Sequence, residues 1–335
     1  QLDSVDPLNI DHIEVISVAT ALYGGGSTGG LINIVTKKGQ PETMMEFEAG
    51  TKSGFNSSKD HDERIAGAVS GGNDHISGRL SVAYQQFGGW FDGNGAATLL
   101  DNTQTGLQHS NRLDIMGTGT LNIDESRQLQ LITQYYKSQG DDNYGLNLGK
   151  GFSAISGSST PYVSKGLNSD RIPGTERHLI SLQYSDSDFL RQELVGQVYY
   201  RDESLRFYPF PTVNANKQAT AFSSSQQDTD QYGMKLTLNS QLMDGWQITW
   251  GLDAEHERFT SNQMFFDLAQ ASASGGLNNH KIYTTGRYPS YDITNLAAFL
   301  QSSYDINDIF TVSGGVRYQY TENRVDDFID YTQQQ

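Results

Sequence analysis

Most of the chain alternates between apolar and polar residues with a period of two, as expected for β-strands that expose two different faces. In one such run, Leu80, Val82 and Tyr84 fall on one face of the predicted strand, whereas Arg79 and Gln85 fall on the other. Eleven runs of this kind lie near residues 42–52, 62–72, 76–91, 112–123, 127–138, 175–186, 192–207, 229–240, 246–264, 293–305 and 310–325. The pattern therefore predicts an all-β protein.

The connections between these runs alternate in length. Long connections lie at 53–61, 92–111, 139–174, 208–228 and 265–292, and short ones lie at 73–75, 124–126, 187–191, 241–245 and 306–309. Short turns at one rim and long loops at the other are typical of a transmembrane antiparallel β-barrel in an outer membrane, where the long loops are extracellular. A soluble β-sandwich would also alternate along its strands, but it seldom keeps such an order of connections.

The length and number of the runs fit the same architecture. A tilted strand needs roughly 9–11 residues to cross the hydrocarbon core, and most runs reach this length, whereas globular strands have about 5–6 residues. Bacterial single-chain barrels have an even number of strands, so a count of eleven indicates an incomplete barrel. Plugged transporters have about 22 strands, and we therefore expect residues 42–335 to be the N-terminal half of such a barrel.

Composition supports strands and excludes some partners. The chain contains 35 Gly and 18 Tyr but only 7 Pro and no Cys, so it favours many turns and cannot form a disulfide. The formal net charge of −16 argues against a nucleic-acid partner, because phosphate binding needs a basic surface. The mean hydropathy is −0.54, and no run is long enough for a transmembrane helix. Since the chain starts at Gln1 without a signal segment, we expect that processing or truncation removed one.

A glycine-rich segment stands apart from the alternating runs. Gly24, Gly26 and Gly29 match the spacing of a dinucleotide-binding motif, but that motif must be followed by a helix. Here the next residues are LINIVTKK, which are rich in β-branched side chains and typical of a strand. No Gly-Lys-Ser/Thr follows either, as a phosphate-binding loop would require. A nucleotide site is therefore not predicted.

The same segment resembles the end of the plug domain in TonB-dependent outer-membrane siderophore receptors. The run DHIEVISVATALYGGGSTGGLINIVTKKG is similar to the family signature IE-x-I-x-G…LYG…GG-x-IN-x-V-T/S-K that precedes the first barrel strand, although Val18 stands where the family usually has Gly. The motif residues are Gly24, Gly25, Gly26, Gly29, Gly30 and Asn33. The resemblance implies that residues 1–41 are the C-terminal part of a plug and that the barrel follows.

The resemblance also implies a function and its partners. Members of this family use the TonB complex to drive ferric siderophores across the Gram-negative outer membrane, and the TonB-coupling segment is expected to lie N-terminal to this chain. The segments FGGWFDGN, LRFYPFPTVNANKQ and KGLNSDRIPGTERHL resemble those of receptors for an iron(III)-hydroxamate-citrate chelate. The implied partners are the ferric siderophore, TonB, outer-membrane lipid and a bacteriocin. No cofactor is expected to be bound directly, because the iron arrives as a chelate.

An anionic ferric chelate needs local cations in so acidic a chain, and arginine binds carboxylates through paired hydrogen bonds. The end of the seventh run and the loop after it carry a cluster of such residues, and other candidates lie near further loops. The candidate ligand contacts are Arg201, Arg206, Phe207, Tyr208, Phe210, Trp90, Tyr136, Lys137 and Arg287. Tyr23 is added because the resemblance implies that the LYG tyrosine lines the ligand pocket. The alternatives are that the arginines pair with carboxylates such as Asp202 and Glu203, and that Tyr23 only packs plug against wall.

Other chemistry has little support in the sequence. The run KDHDER at 59–64 has residues that could bind a cation, but a solvated extracellular loop is favoured, and no metal site is predicted. The seven histidines are scattered and no serine, histidine and aspartate arrangement is recognisable, so no enzymatic activity is predicted. The alternatives to a receptor are a passive porin or adhesin barrel, against which the plug-like segment counts, and a secreted acidic β-protein.

Overall fold

The computed structural model describes residues 4–16, 30–56, 59–100, 107–141 and 143–329. These residues form nineteen β-strands and two short α-helices, and no helix within them is long and apolar enough to cross a bilayer. In chain order the elements are β1 (Ile10–Ile16), β2 (Leu31–Thr36), β3 (Met44–Ser53), β4 (His61–Gly72), β5 (Ile76–Phe87), β6 (Ser110–Asn122), β7 (Arg127–Gly140), β8 (Tyr144–Asn147), α1 (Ser153–Ser156), β9 (Tyr162–Lys165), β10 (Asn168–Ser169), β11 (Gly174–Phe189), β12 (Gln192–Arg206), β13 (Phe210–Val213), β14 (Ala219–Met243), β15 (Trp246–Phe266), α2 (Leu268–Ser274), β16 (Asn278–Asn279), β17 (Lys281–Gly286), β18 (Tyr291–Asp305) and β19 (Thr311–Val325).

Eleven strands form one continuous antiparallel sheet, in which each strand pairs with the next one along the path. The order is β3-β4-β5-β6-β7-β11-β12-β14-β15-β18-β19, and β13 and β17 pair with the ends of β14 and β15. Every predicted run corresponds to one of these strands, so the prediction of eleven wall strands is confirmed. The strand β14 begins well before its predicted start, because its ladder with β15 continues to the pair Ser223 and Phe265, whereas β15 ends within two residues of its predicted end.

The two faces of this sheet differ in polarity, and the polar face is the buried one. Arg79, Ser81 and Asp114 are between 1% and 5% exposed, whereas Leu80 and Leu121 on the opposite face are 52% and 41% exposed. A soluble protein buries apolar side chains and leaves charged ones in water. The inverse arrangement is that of a membrane barrel wall, with apolar residues towards lipid and polar residues inside. We call these the polar face and the apolar face.

The N-terminal residues 4–9, which we call the anchor segment, lie on the polar face. Ser4, Asp6, Leu8 and Asn9 are at most 2% exposed, and Leu8 packs against small residues of β4 and β5. The side chain of Asp6 caps the short 3-10 turn that follows it by accepting the backbone N–H of Leu8. The strands β1 and β2 then form a separate antiparallel hairpin.

The long connections pack against one another in a way that the sequence did not predict. The strands β8 and β9 form a hairpin, and β10 pairs in parallel with β16 from another loop. A small apolar core joins these loops to α2 and to the extended ends of β14 and β15. Its buried members are Leu148, Phe152, Phe222, Phe266 and Ala271. The loops at this end are therefore folded structures held together by tertiary contacts.

Candidate ligand-binding site

A buried ionic network holds the anchor segment to the wall. Asp6 accepts from Arg64 Nη2 at 2.5 Å, and Arg112 Nη2 lies 3.7 Å from its other oxygen. The backbone N–H of Asp6 donates to Asp114 Oδ2 at 2.7 Å. The Asp6 side chain is only 1% exposed, and a carboxylate so buried is tolerated only when cations and hydrogen bonds surround it. The alternation of the strands explains the arrangement, because these wall residues all lie on the polar face.

A second set of contacts fixes the other end of the anchor segment. Arg79 Nη1 donates to Asn9 Oδ1 at 2.7 Å, and its Nη2 donates to the Leu8 carbonyl oxygen at 3.1 Å. Ser81 Oγ donates to the same Asn9 oxygen at 2.5 Å. Arg79 also lies 3.5 Å from Glu46 Oε2. Both terminal nitrogens of Arg79 thus hold the anchor segment.

Arg177 of β11 connects the anchor segment to the neighbouring part of the polar face. Its Nη2 donates to the Ser4 carbonyl oxygen at 3.1 Å and to Gln134 Oε1 at 3.1 Å. Its Nη1 lies 3.7 Å from Glu203 Oε2, and its guanidinium lies 5.5 Å from the centre of the Tyr136 ring. Tyr136, a predicted contact, is itself 3% exposed. The sequence analysis did not include Arg177 among the candidates. The alternation of polar and apolar residues in β11 places Arg177 on the polar face, where it pairs in register with Tyr136, and this pattern could have identified it.

Arg201, another predicted contact, lies beside Arg177 on the polar face of β12. Within the described ranges its buried Nε has no hydrogen-bond partner, and the side chain forms no ion pair. The carboxylates offered as alternatives bind elsewhere, since Glu203 faces Arg177 and Asp202 accepts the backbone N–H of His178 at 3.2 Å. Arg201 is close enough to Arg177 for the two charges to repel each other. A guanidinium with an unpartnered donor beside a second guanidinium is suited to bind an anion.

The structure separates two predicted cations from this pair. Lys137 follows Tyr136 directly, so it points to the apolar face, where its partner in register is Glu176. Arg206 is five residues from Arg201 in an unbroken ladder and therefore also lies on the opposite face. It acts electrostatically on Arg171, whose pKa is lowered mainly by burial. The sequence analysis grouped Lys137 and Arg206 with Arg201 because they are close along the chain. The period of two in a β-strand instead places them on the opposite face of the sheet.

The remaining predicted contacts lie in or next to the long loops. Phe207 continues the pairing of β12, because its N–H donates to the Ser225 carbonyl oxygen at 2.9 Å. Phe210 begins β13 and is 54% exposed. Trp90 is 43% exposed. Arg287 donates from Nη1 to Gln263 Oε1 at 2.9 Å, and its guanidinium lies over Tyr288. These side chains do not form one cluster with Arg201.

Tyr208 lines a small cavity of about 40 Å³ with residues of β6, β7 and β11. Burial raises the pKa of its hydroxyl, and nearby Asp141 adds to the effect. A cavity of this size holds a water molecule or two. It is far too small for a ferric chelate, so Tyr208 could meet such a ligand only if the loops around it moved.

The plug motif is only partly within the described residues. Tyr23, Gly24, Gly25, Gly26 and Gly29 lie outside them. Gly30 precedes β2 with a φ of 118°, a backbone conformation that residues other than glycine rarely adopt. Asn33 Nδ2 donates to Glu14 Oε2 at 2.8 Å and so ties β2 to β1. These two residues therefore have a local structural role in the hairpin.

A cationic and aromatic cluster, which the sequence did not predict, joins three loops. The ring of His109 stacks on Tyr144 at 4.1 Å between centroids, with the planes 15° apart. Lys59 and Lys165 lie over the same Tyr144 ring at 5.2 and 5.5 Å. Burial lowers the pKa of His109 below its ordinary value of 6.5. The histidine is therefore neutral in this stack at neutral pH.

Comparison with known proteins identifies the relatives of this chain. A family model described as TonB dependent receptor-like, beta-barrel, matches residues 114–335. The chain is 90% identical over 334 residues to the ferric aerobactin receptor of Klebsiella pneumoniae and 89% identical to that of Escherichia coli. It is covered completely in both cases but spans only 46% of each relative's length. Among solved structures, the unliganded ferric citrate transporter FecA has a TM-score of 0.67 and 18% identity, over 96% of this chain and 44% of that one. This last likeness supports the fold alone.

Proposed function

The chain belongs to the TonB-dependent receptor family, and on this premise we propose that the complete protein takes up ferric aerobactin with energy supplied through TonB. The observation that carries the proposal is the 90% identity to a ferric aerobactin receptor along the whole chain. The wall described above is part of an outer-membrane β-barrel. Its apolar face is the lipid-facing side, and its polar face lines the lumen. Neither a cofactor nor a catalytic step is part of the proposal.

The chemistry of the lumen supports an anionic cargo. A hydroxamate-citrate chelate of iron(III) carries carboxylates, and a chain with a net charge of −16 can bind it only where cations are concentrated. Arg201 and Arg177 provide such a place, because they lie side by side on the polar face and the first has a buried donor without a partner. The Tyr136 ring lies next to the guanidinium of Arg177. We propose these three residues as ligand contacts, with Arg287 and Trp90 as contacts from the loops.

The proposal assigns the N-terminal part of the chain to a plug. Residues 1–41 would be the C-terminal part of that plug, and residues 42–335 the first half of the barrel. Support comes from the anchor segment, which fills part of the lumen and is bonded to residues of five wall strands, β4, β5, β6, β7 and β11. A passive porin needs an open lumen, and such a buried segment disfavours it. The bacteriocin partner stays a prediction from the resemblance.

An uptake measurement tests the proposal. The complete gene would be expressed in cells that lack their own aerobactin receptor, and iron-limited cells would be given radiolabelled ferric aerobactin. We expect saturable accumulation of label that disappears in a strain without TonB, and no accumulation from an unrelated ferric chelate. Accumulation that persists without TonB would indicate a passive pore. No accumulation above receptor-free cells would refute the cargo.

A further inference from the structure

We propose that the apolar face carries a binding groove for one phospholipid of the periplasmic leaflet, with an acyl chain lying across a row of glycines and the phosphate at Arg127. The apolar face is the lipid-facing side of the wall, so the groove is continuous with the surface that lipid covers. The proposal goes beyond the proposed function, because it concerns a ligand of the outer wall and not the cargo in the lumen.

The floor of the groove consists of glycines on three adjacent strands. Gly71 of β4 pairs in register with Gly78 of β5, and Gly78 pairs in register with Gly119 of β6. Gly117 lies two residues away from Gly119 on the same face. A Cβ atom at Gly119 would meet no heavy atom of a non-adjacent residue within 4 Å, so this position borders open space. The four glycines therefore leave a stretch of wall without side chains.

Large apolar side chains surround this floor on the same face. Two adjoining hollows of about 430 and 560 Å³ lie over the glycines, and Leu131 lines both of them. Each volume falls within the range of about 300–1000 Å³ that is usual for small-molecule sites. The side chains that rise around the floor are Val69, Ile76, Leu80, Leu121, Leu131 and Leu182. The groove is therefore walled by hydrocarbon and has room for an acyl chain.

The backbone does not require glycine at the four floor positions. None of them has a positive φ, so other residues could adopt the same conformation. Glycine inside a strand weakens it, and there it often marks a place where a ligand or another backbone approaches closely. The connection from β2 to β3 approaches this region from the polar face, where Ser77 Oγ donates to the Gly39 carbonyl oxygen at 3.2 Å. Close approach of a ligand from the lipid side accounts for the glycines on the apolar face.

The position of the groove selects the leaflet. The groove lies beside the short turns between β4 and β5 and between β6 and β7. In an outer-membrane barrel the short turns are at the periplasmic rim. The periplasmic leaflet of an outer membrane consists of phospholipids, which have two acyl chains and an anionic phosphate. A phospholipid of this leaflet is therefore the occupant that fits both the place and the apolar lining.

Arg127 provides a cation at the end of the groove. It lies two residues from Leu129, which lines the groove, and points to the same face. Its Nε and Nη2 bind Asp124 at 2.7 and 2.5 Å, and the side chain is 48% exposed. A guanidinium has five N–H donors, so one carboxylate does not use all of them. Arginine binds phosphate through paired hydrogen bonds, and the lipid phosphate is placed here.

Packing sets the affinity of the acyl chain for the groove. The surrounding lipid is as apolar as the groove, so no hydrophobic driving force distinguishes them. A chain in the groove contacts atoms on several sides, whereas a chain against a convex wall contacts atoms on one side. A leucine side chain at position 119 would remove on the order of ten such contacts, which corresponds to roughly a tenfold loss of affinity.

Native mass spectrometry of the complete receptor in detergent tests the proposal by titration with dipalmitoylphosphatidylglycerol. In the wild type we expect the first lipid to bind about tenfold more tightly than the next ones. Gly119→Leu should weaken binding of the first lipid by about tenfold. Arg127→Gln should weaken it by about tenfold as well, because a charge-assisted hydrogen bond is lost. The same variant should bind dipalmitoylglycerol, which has the chains without the phosphate, as the wild type does.

Gly196→Leu is the matched control. Gly196 lies on the same face and near the same rim, but its partners in register are the large side chains Tyr184 and Leu236. A Cβ atom there would already be in ordinary contact with Leu236 at 3.6 Å, so no groove exists at this position. This variant should bind the first lipid within about twofold of the wild type. Gly119→Ala fills less of the groove and should show a smaller loss than Gly119→Leu.

Several results would overturn the proposal. One is a wild-type receptor that binds no lipid more tightly than the others, and another is equal affinity in the wild type and Gly119→Leu. An equal loss in Gly119→Leu and Gly196→Leu would show a general effect of larger side chains. Loss of a receptor dimer in Gly119→Leu with unchanged lipid affinity would assign the groove to a second barrel. Unchanged binding of the phosphatidylglycerol by Arg127→Gln would overturn the placement of the phosphate. The heat-dependent electrophoretic migration of a folded barrel confirms that each variant is assembled.

Discussion

Substitution of Arg201 by Gln in the complete receptor should weaken binding of ferric aerobactin by about 10- to 100-fold. Arg201 has a buried Nε without a hydrogen-bond partner in the described part of the chain, so this donor is not committed to the protein. A hydrogen bond to a charged group contributes about 1.5–3 kcal/mol. At about 1.4 kcal/mol for each tenfold change, this range corresponds to the stated loss. The side chain is half-buried rather than fully enclosed, so a loss of affinity greater than about 100-fold is not expected.

Titration of intrinsic fluorescence with ferric aerobactin provides the affinities, since the complete receptor carries tryptophans in this half. Lys137→Gln is the control, because it removes one positive charge from the same end of the wall but on the apolar face. Its affinity should stay within about twofold of the wild type, since a charge on the far side of the wall interacts weakly with a ligand in the lumen. The reasoning would be refuted if Arg201→Gln bound as tightly as the wild type, or if Lys137→Gln lost as much affinity.

Three further predictions concern the anchor segment and the loops. Asp6→Asn should destabilise the anchor by about 3 kcal/mol, because it breaks a buried ion pair with Arg64; hydrogen exchange over residues 4–9 measures this, and unchanged exchange would contradict it. The folded protein lowers the pKa of His109 below its ordinary value of 6.5, so the unfolded loops bind the proton more readily than the folded ones. The stack of His109 on Tyr144 should therefore be stable above about pH 6.5 and weaken as the pH falls below that value. Limited proteolysis of the loops between pH 5 and 8 should show this dependence in the wild type and not in His109→Phe. Phe152→Ala should destabilise the loop core by about 3–5 kcal/mol, because the ring is 3% exposed and stacks on a second phenylalanine; faster exchange in α2 is the expected signal, and exchange equal to the wild type would count against a shared core.

The wall strands could be predicted because their signal is local and repeated. Each strand separates lipid from lumen, so apolar and polar residues must alternate over its whole membrane-crossing length. The extended start of β14 was missed because both of its faces are polar there, as in Ser223, Ser224 and Ser225. Backbone pairing continues through this region without any periodic pattern in the side chains.

The folded loops could not be predicted from periodicity. The strands β8, β10 and β16 have only two to four residues each, and helices as short as α1 and α2 are not stable by themselves. Contacts between distant segments stabilise them, such as the stack of Phe152 on Phe222 at 5.2 Å. These contacts depend on how five loops meet, which no local pattern encodes.

For the candidate site, the sequence analysis identified some of the residues on the polar face but did not predict which of them lie next to one another. Arg201 and Tyr136 do lie on the polar face, and strict alternation from Tyr136 would have excluded Lys137 from it. Arg177 was overlooked because its contact with Ser4 joins residues 173 positions apart. Whether these side chains bind a ligand is a proposal that the fold makes testable.

Equilibrium binding of ferric aerobactin to the purified complete receptor is the decisive measurement for the proposed cargo. We expect saturable binding with one chelate per receptor, weaker binding of the iron-free siderophore, and no displacement by a large excess of ferric citrate. The same titration with Arg201→Gln should show the loss of affinity derived above. Absence of saturable binding to a correctly folded receptor, or equal binding of ferric citrate, would show that ferric aerobactin is not the specific ligand.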